Sequence, residues 1–164
     1  MTATPSTPVL HMVCGKIGAG KSTLARRLAA APANVLVSED AWLAALYPGE
    51  IRKLPDYVRC AGRLKQAIEG HLVALLAAGV SVVLDFPANT VANRRWMRGL
   101  FEAAGAAHVL HLLDLPDAVC KQRLRERNAS GTHPFETSEA QFDLISSHFA
   151  APSAAEGFTV RRHG

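Results

Sequence analysis

Several familiar signals are missing from this 164-residue sequence. It has three cysteines, Cys14, Cys60 and Cys120, an odd number set far apart, with no Cys-x-x-Cys pair and no Cys/His spacing that would suggest zinc. They read as reduced, buried thiols. The seven histidines are scattered and form no His-Glu-x-x-His, so an imidazole metal site is not expected. No apolar run approaches the ~20 residues that cross a bilayer, and no membrane partner is expected. There is no internal repeat. The first eight residues, MTATPSTP, lack a basic stretch followed by an apolar one, so they predict a frayed tail and a cytoplasmic protein. Lys and Arg exceed Asp and Glu by 18 to 14, a net charge of +4, but form no long basic block. That mild excess suits a polyanionic ligand such as a nucleotide and does not by itself argue for nucleic acid.

What is present is alternation. Apolar runs at 8–14, 34–37, 80–86, 107–115 and 157–162 read as strands. Between them lie stretches of helical period: Lys21 to Ala31, 40–48, Asp56 to Ala78, Thr90 to Ala104, Pro116 to Arg127 and Ser138 to Phe149. Within these, Leu24 and Leu28, then Leu64, Ile68, Leu72, Leu75 and Leu76, then Trp96, Leu100 and Phe101, and finally Phe142, Ile145 and Phe149 face inward. The pattern predicts one α/β domain over 9–164, with a parallel sheet covered on both faces. Ligands of such sheets sit beyond the carboxyl ends of the strands. That directs attention to 15–22, 38–40, 85–89 and 116–127.

The first of these, Gly15 to Ser22, reads GKIGAGKS and fits G-x-x-x-x-G-K-[ST], between a strand and a helix. A loop wrapped around a phosphate must point several backbone N–H groups inward, and glycine permits both the positive φ and the close approach. The helix adds its free N–H groups and positive dipole end. The nucleotide-binding residues are therefore Gly15, Lys16, Ile17, Gly18, Ala19, Gly20, Lys21, Ser22 and Thr23. Lys21 carries charge to the β- and γ-phosphates, and the Ser22 hydroxyl is placed for Mg²⁺.

No Asn-Lys-x-Asp element for guanine exists. The chain is also too short for a ring-forming motor with a second helical domain. A small kinase remains, and it needs a carboxylate base, cations for the phosphoryl group and a lid. Glu39 and Asp40 end strand two on the acceptor side. Arg123 and Arg127, four apart on one helix face, precede a loop that gives a lid around 123–138. Alternatives stay open. Asp40 reads as base or as helix N-cap, with Glu39 as capping or metal-facing partner. Asp85 reads as metal ligand or as a lone turn carboxylate. Asn89 reads as a cap or as a contact to acceptor or phosphate. Arg94 reads as such a contact or as a solvated side chain, and Trp42 and Tyr47 as core or as a stacking surface flanking the cleft. Lys16 is expected to face solvent.

At these residues the sequence resembles a family. GKIGAGKST, SEDAWLAALYP, VVLDFPANTVANRRWMR and LLDLPDAVCKQRLRERN, which span nearly the whole chain, resemble the small P-loop kinases. These are the group of bacterial AAA-family ATP-binding proteins, polynucleotide 5′-kinase, chloramphenicol phosphotransferase and zeta-toxin sugar-nucleotide kinases. The resemblance implies strand order 2-3-1-4-5, ATP as donor, Asp40 as general base, and Arg123 and Arg127 around the phosphates. Lys21, Asp40, Arg123 and Arg127 are then the catalytic set, with Ser22 and Asp85 for Mg²⁺. Larger relatives carry a helix after strand five that has no counterpart here, which would leave the adenine pocket more open. The expected reaction is transfer of the ATP γ-phosphoryl group to a hydroxyl of a small molecule or nucleotide-type acceptor. A polynucleotide 5′-hydroxyl kinase, and a nucleotide-binding regulator with slow ATPase activity, are the alternatives.

Overall fold

A computed structural model describes residues 7–131 and 136–164. Residues 1–6 of the expected tail at 1–8, and the tip of the expected lid, His133 included, lie outside the described residues. Five strands form one sheet: β1 (Val9–Cys14), β2 (Asn34–Ser38), β3 (Ser81–Pro87), β4 (Ala107–Leu113) and β5 (Val160–His163). Their order is β2-β3-β1-β4-β5 and every pairing is parallel. Six helices connect them: α1 (Lys21–Ala29), α2 (Glu39–Leu46), α3 (Leu54–Ala77), α4 (Val91–Ala104), α5 (Asp117–Ser130) and α6 (Glu139–Ser146).

The inner strands β1, β3 and β4 are largely apolar along their length and lie between helices, whereas the edge strand β5 (VRRH) is mostly exposed. Leu10, Met12, Leu84, Phe86, Leu110 and Leu112 face the larger core, against Leu64, Ile68, Leu72 and Leu76 of α3 and Met97, Leu100 and Phe101 of α4. On the other face, Leu24 of α1, Leu113, Cys120 and Leu124 of α5 and Phe142 of α6 form a second cluster. Each such side chain stabilises the fold by ~1.5–3 kcal/mol on burial. Leu28 borders the second cluster, and Leu75, Trp96 and Phe149 pack partly buried against the first. All three cysteines are free and buried, as expected, and burial pushes the Cys14 thiol up to about 11.

Element ends moved by a few residues where caps decided them. Helix α2 begins at Glu39 because the Ser38 hydroxyl accepts from Ala41 N, so Ser38 and not Asp40 is the N-cap. Thr90, and not Asn89, caps α4 through Asn93 N. Helix α6 opens on a Ser138/Gln141 capping box and ends at Ser146, leaving Phe149 beyond it.

Helix α4 carries an unexpected structural cation. Arg94 is fully buried, neither solvated nor in the cleft. Its guanidinium pairs with Glu156 at 2.8 Å and donates to Ala88 O at 2.9 Å and Ala150 O at 2.7 Å. It thereby ties the segment before β5 to the sheet.

Candidate active site

The carboxyl ends of β1, β2, β3 and β4 open onto one cleft, about 1240 Å³ in volume. The loop after β1 forms its floor, and α5 and the ends of β2 and β3 form its walls. Gly20 adopts φ 98° as the N-cap of α1, so the chain turns into the helix with its first N–H groups facing the cleft. Gly18 (φ 80°) and Gly15 are required for a second reason. A Cβ on Gly18 would sit 2.4 Å from the carbonyl oxygen of Cys120, and one on Gly15 would sit 2.9 Å from that of Leu113. The loop is pressed against β4 and α5, so two of its glycines serve backbone-to-backbone packing as well as the phosphate cradle.

Lys21 heads α1 and folds back over the loop. Its Nζ donates to Gly15 O at 2.6 Å and Lys16 O at 3.0 Å. Burial lowers its pKa, while the charges of Asp85 and Asp40 work the other way, which places both carboxylates in its field. The Ser22 side chain lies beside the Asp85 carboxylate. Burial raises the Asp85 pKa, with Asp40 adding to it and Ser22, Lys21 and Arg26 opposing it. Arg123 and Arg127 reach the cleft from α5. Arg123 Nη1 lies 3.4 Å from Ala19 O, and Arg127 keeps a buried Nε with no hydrogen-bond partner among the described residues. Arg125, between them, turns away to an ion pair with Glu139.

Of the residues expected at the nucleotide, 17–23 line the cleft. Gly15 lies buried beneath, and Lys16 is held by Asp117 at 2.7 Å, so it does not project freely into solvent. Asp40, Lys21, Arg123, Arg127, Ser22 and Asp85 all line the same cleft. The structure also separates residues that look equivalent in sequence. Asp40 is partly exposed at the cleft, whereas Glu39 is 3% exposed and accepts a hydrogen bond from the Tyr57 hydroxyl through Oε1. Burial pushes the Glu39 carboxyl up to about 7, against the Tyr57 bond.

Residues with two readings in the sequence are placed, and Asn89 lines the cleft. Asn89 touches the loop itself, where its side chain accepts from Gly15 N and donates to Gly15 O, both at 2.9 Å. Trp42 and Tyr47 are not among the lining residues; Tyr47 packs on the main core and Trp42 is 42% exposed. Tyr57 and Arg52, which do line the cleft, carry no local signal, because they reach it only when α3 packs beside α2. The described base of the expected lid is tied by Asn128, whose side chain donates to Thr137 O at 2.7 Å.

A P-loop between strand and helix, a 2-3-1-4-5 parallel sheet, and paired arginines on the helix after β4 define a kinase-like P-loop NTPase fold of the small-kinase group. The chain belongs to the AAA domain family, whose sequence profile matches residues 10–152. No curated protein matches the chain. Among solved structures it resembles a candidate kinase of Chloroflexus aurantiacus j-10-fl, at 21% identity and TM-score 0.77, covering 98% of this chain and 86% of that one. It also resembles a gluconokinase of Sinorhizobium meliloti 1021, at 16% identity and TM-score 0.60, covering 98% and 84%. A third is the Mycobacterium tuberculosis APS kinase CysC in complex with AMPPNP and APS, at 19% identity and TM-score 0.59, covering 90% and 85%. These likenesses establish the fold. No helix among the described residues is long and apolar enough to cross a membrane.

Proposed function

We propose that this protein is an ATP-dependent kinase that transfers the γ-phosphoryl group to a hydroxyl of a small-molecule or nucleotide-type acceptor. The observation that carries the reading is the convergence of Lys21 from α1, Asp40 from α2, and Arg123 and Arg127 from α5 on one cleft. The loop amides and the α1 N-terminus bind the phosphates. Asp40 accepts the proton of the acceptor hydroxyl as its oxygen bonds to the γ-phosphorus. The bond from that phosphorus to the β,γ-bridging oxygen breaks, and ADP leaves with the electron pair. Lys21, Arg123 and Arg127 hold the charge that builds on the transferring group. Arg127 suits this role because its Nε is already desolvated and has no hydrogen-bond partner among the described residues.

The residues present fit Mg²⁺. Among the described residues no group of three or more His, Cys, Asp or Glu side chains forms a cage of its own. A magnesium ion characteristically takes one or two protein oxygens, together with phosphate oxygens and water. Ser22 and Asp85, side by side on the cleft, would hold it. When bound, the ion neutralises phosphate charge.

ADP release from Mg-ATP by wild type and Asp40→Asn, across nucleosides, sugars, sugar nucleotides, 5′-hydroxyl oligonucleotides and hydroxylated antibiotics, tests the reading. One acceptor should stimulate turnover, and Asp40→Asn should abolish the stimulation. Equal, unstimulated hydrolysis by both proteins would instead support a nucleotide-binding regulator.

A further inference from the structure

Glu39 is the one acidic residue of the cleft wall whose side chain is buried, and half of its carboxyl is unused. Oε1 takes the Tyr57 proton. Oε2 is buried and has no hydrogen-bond partner among the described residues. Leaving a buried acceptor unsatisfied is destabilising, more so if it is charged. An apolar side chain at the first position of α2 would avoid that cost, because the helix is capped by Ser38 and does not need Glu39 for the purpose. The Tyr57 hydroxyl has a single proton, which goes to Glu39, so its oxygen retains only acceptor capacity. Both residues line the cleft, and with Glu39 ionised the pair offers hydrogen-bond acceptors there. Glu39 lies one residue from the carboxylate assigned as the base.

We propose that Glu39 and Tyr57 form the acceptor-recognition element of the cleft, with Glu39 Oε2 and Tyr57 Oη accepting from a hydrogen-bond donor next to the hydroxyl that is phosphorylated. This rests on the kinase reading and narrows it: the acceptor is a polyol or an amino alcohol, not a simple alcohol. A hydroxyl or an ammonium group supplies the same chemistry at Oε2, and the experiment separates them. A donor at Oε2 completes the carboxyl's bonds on binding. An acceptor lacking that donor leaves Oε2 unsatisfied and desolvated, the situation in which a site built for a polar group rejects its apolar analogue.

The test uses the full chain with Mg-ATP and three sets of probes. These are polyols (glycerol, ribose, gluconate, myo-inositol), amino alcohols (ethanolamine, kanamycin) and a monohydric alcohol (1-propanol). ADP release gives KM and kcat, and ligand-observed NMR in the presence of Mg-ADP gives binding whether or not turnover occurs. The variants are Glu39→Gln, Tyr57→Phe and Asp40→Asn. A polyol or an amino alcohol should bind wild type while 1-propanol does not. Glu39→Gln should raise KM, and the NMR dissociation constant, by roughly tenfold to hundredfold, as for the loss of one hydrogen bond to a charged group, with kcat nearly unchanged. Tyr57→Phe should move KM in the same direction. Asp40→Asn should lower kcat with KM retained. If Glu39→Gln leaves both constants unmoved, if 1-propanol binds as well as the polyols, or if no probe binds wild type at millimolar concentration, the inference is overturned. An Asp40→Asn enzyme with wild-type kcat would overturn the base assignment alone, because the Glu39→Gln binding comparison does not depend on it.

Discussion

Asn89 brackets the peptide of Gly15. Its amide oxygen accepts from Gly15 N and its amide nitrogen donates to Gly15 O, each at 2.9 Å. The residue just past β3 thereby holds the first residue of the phosphate loop, and Lys21 shares the same carbonyl. A glycine-rich loop has the most backbone freedom to lose on ordering, so a two-point clamp at its entry is where rigidity counts most. Asn89→Ala removes both bonds and leaves Gly15 N without its partner, while Gly15 O keeps Lys21, for a loss of about 1–3 kcal/mol. Isothermal titration with an ATP analogue and thermal unfolding should show weaker binding and a lower Tm together.

Glycines of this chain fall into two kinds, and substitution separates them. A Cβ on Gly18 meets Cys120 O at 2.4 Å with φ at 80°, so Gly18→Ala should displace α5 from the loop and remove nucleotide binding measured by titration. Gly62 lies within α3 with nothing within 4 Å of its added Cβ. Gly62→Ala should stabilise the protein by ~0.5–1 kcal/mol in urea unfolding, through helix propensity, and leave binding intact.

Three imidazoles lie in a row across β1, β4 and β5. His11 Nδ1 is 3.1 Å from His111 Nε2, and His111 Nδ1 is 2.9 Å from His163 Nε2. Burial, with His11, His163 and Arg161 nearby, lowers the His111 pKa to about 4. The folded state therefore binds fewer protons there than the unfolded chain between pH 6.5 and 4. The stabilisation is fully present above 6.5 and is lost as pH falls through 4, on the order of 3 kcal/mol. His111→Gln should flatten that part of the stability profile in chemical denaturation at stepped pH.

Arg94 is buried and pairs with the partly exposed Glu156, and the value of the pair lies in joining α4 to the segment before β5. Arg94→Ala leaves Glu156 and two carbonyls without their donor, and should cost about 3–5 kcal/mol. Glu156→Gln keeps a hydrogen-bond acceptor and should cost less. Urea unfolding of the two variants, side by side, measures the difference.

The strands, the helices and the phosphate loop were legible in the sequence because each is a local pattern. An apolar run, a 3.6-residue period, or a glycine spacing before Lys21 and Ser22 needs no distant partner to be read. The strand order agrees with what the family resemblance implies, and Asp40, Arg123 and Arg127 do meet at the cleft. Other residues were ambiguous for a physical reason. Ser38, Glu39 and Asp40 are consecutive polar residues, any of which suits a helix start, and only the packing of α3 makes one the cap, one buried against Tyr57 and one cleft-facing.

Asn89, Arg94 and Trp42 show the same limit. A polar amide after a strand, an arginine in a basic pair and an aromatic on a short helix carry no mark of the contacts they make. Those contacts cross 74 residues for Asn89 and 62 for Arg94. The sequence by itself determined a nucleotide-type phosphate loop on a parallel α/β sheet, since local backbone preference and periodic burial suffice for that. Tertiary structure alone decided which glycines must be bare, which carboxylate is buried and which arginine is structural, because each depends on atoms that folding brings from elsewhere in the chain.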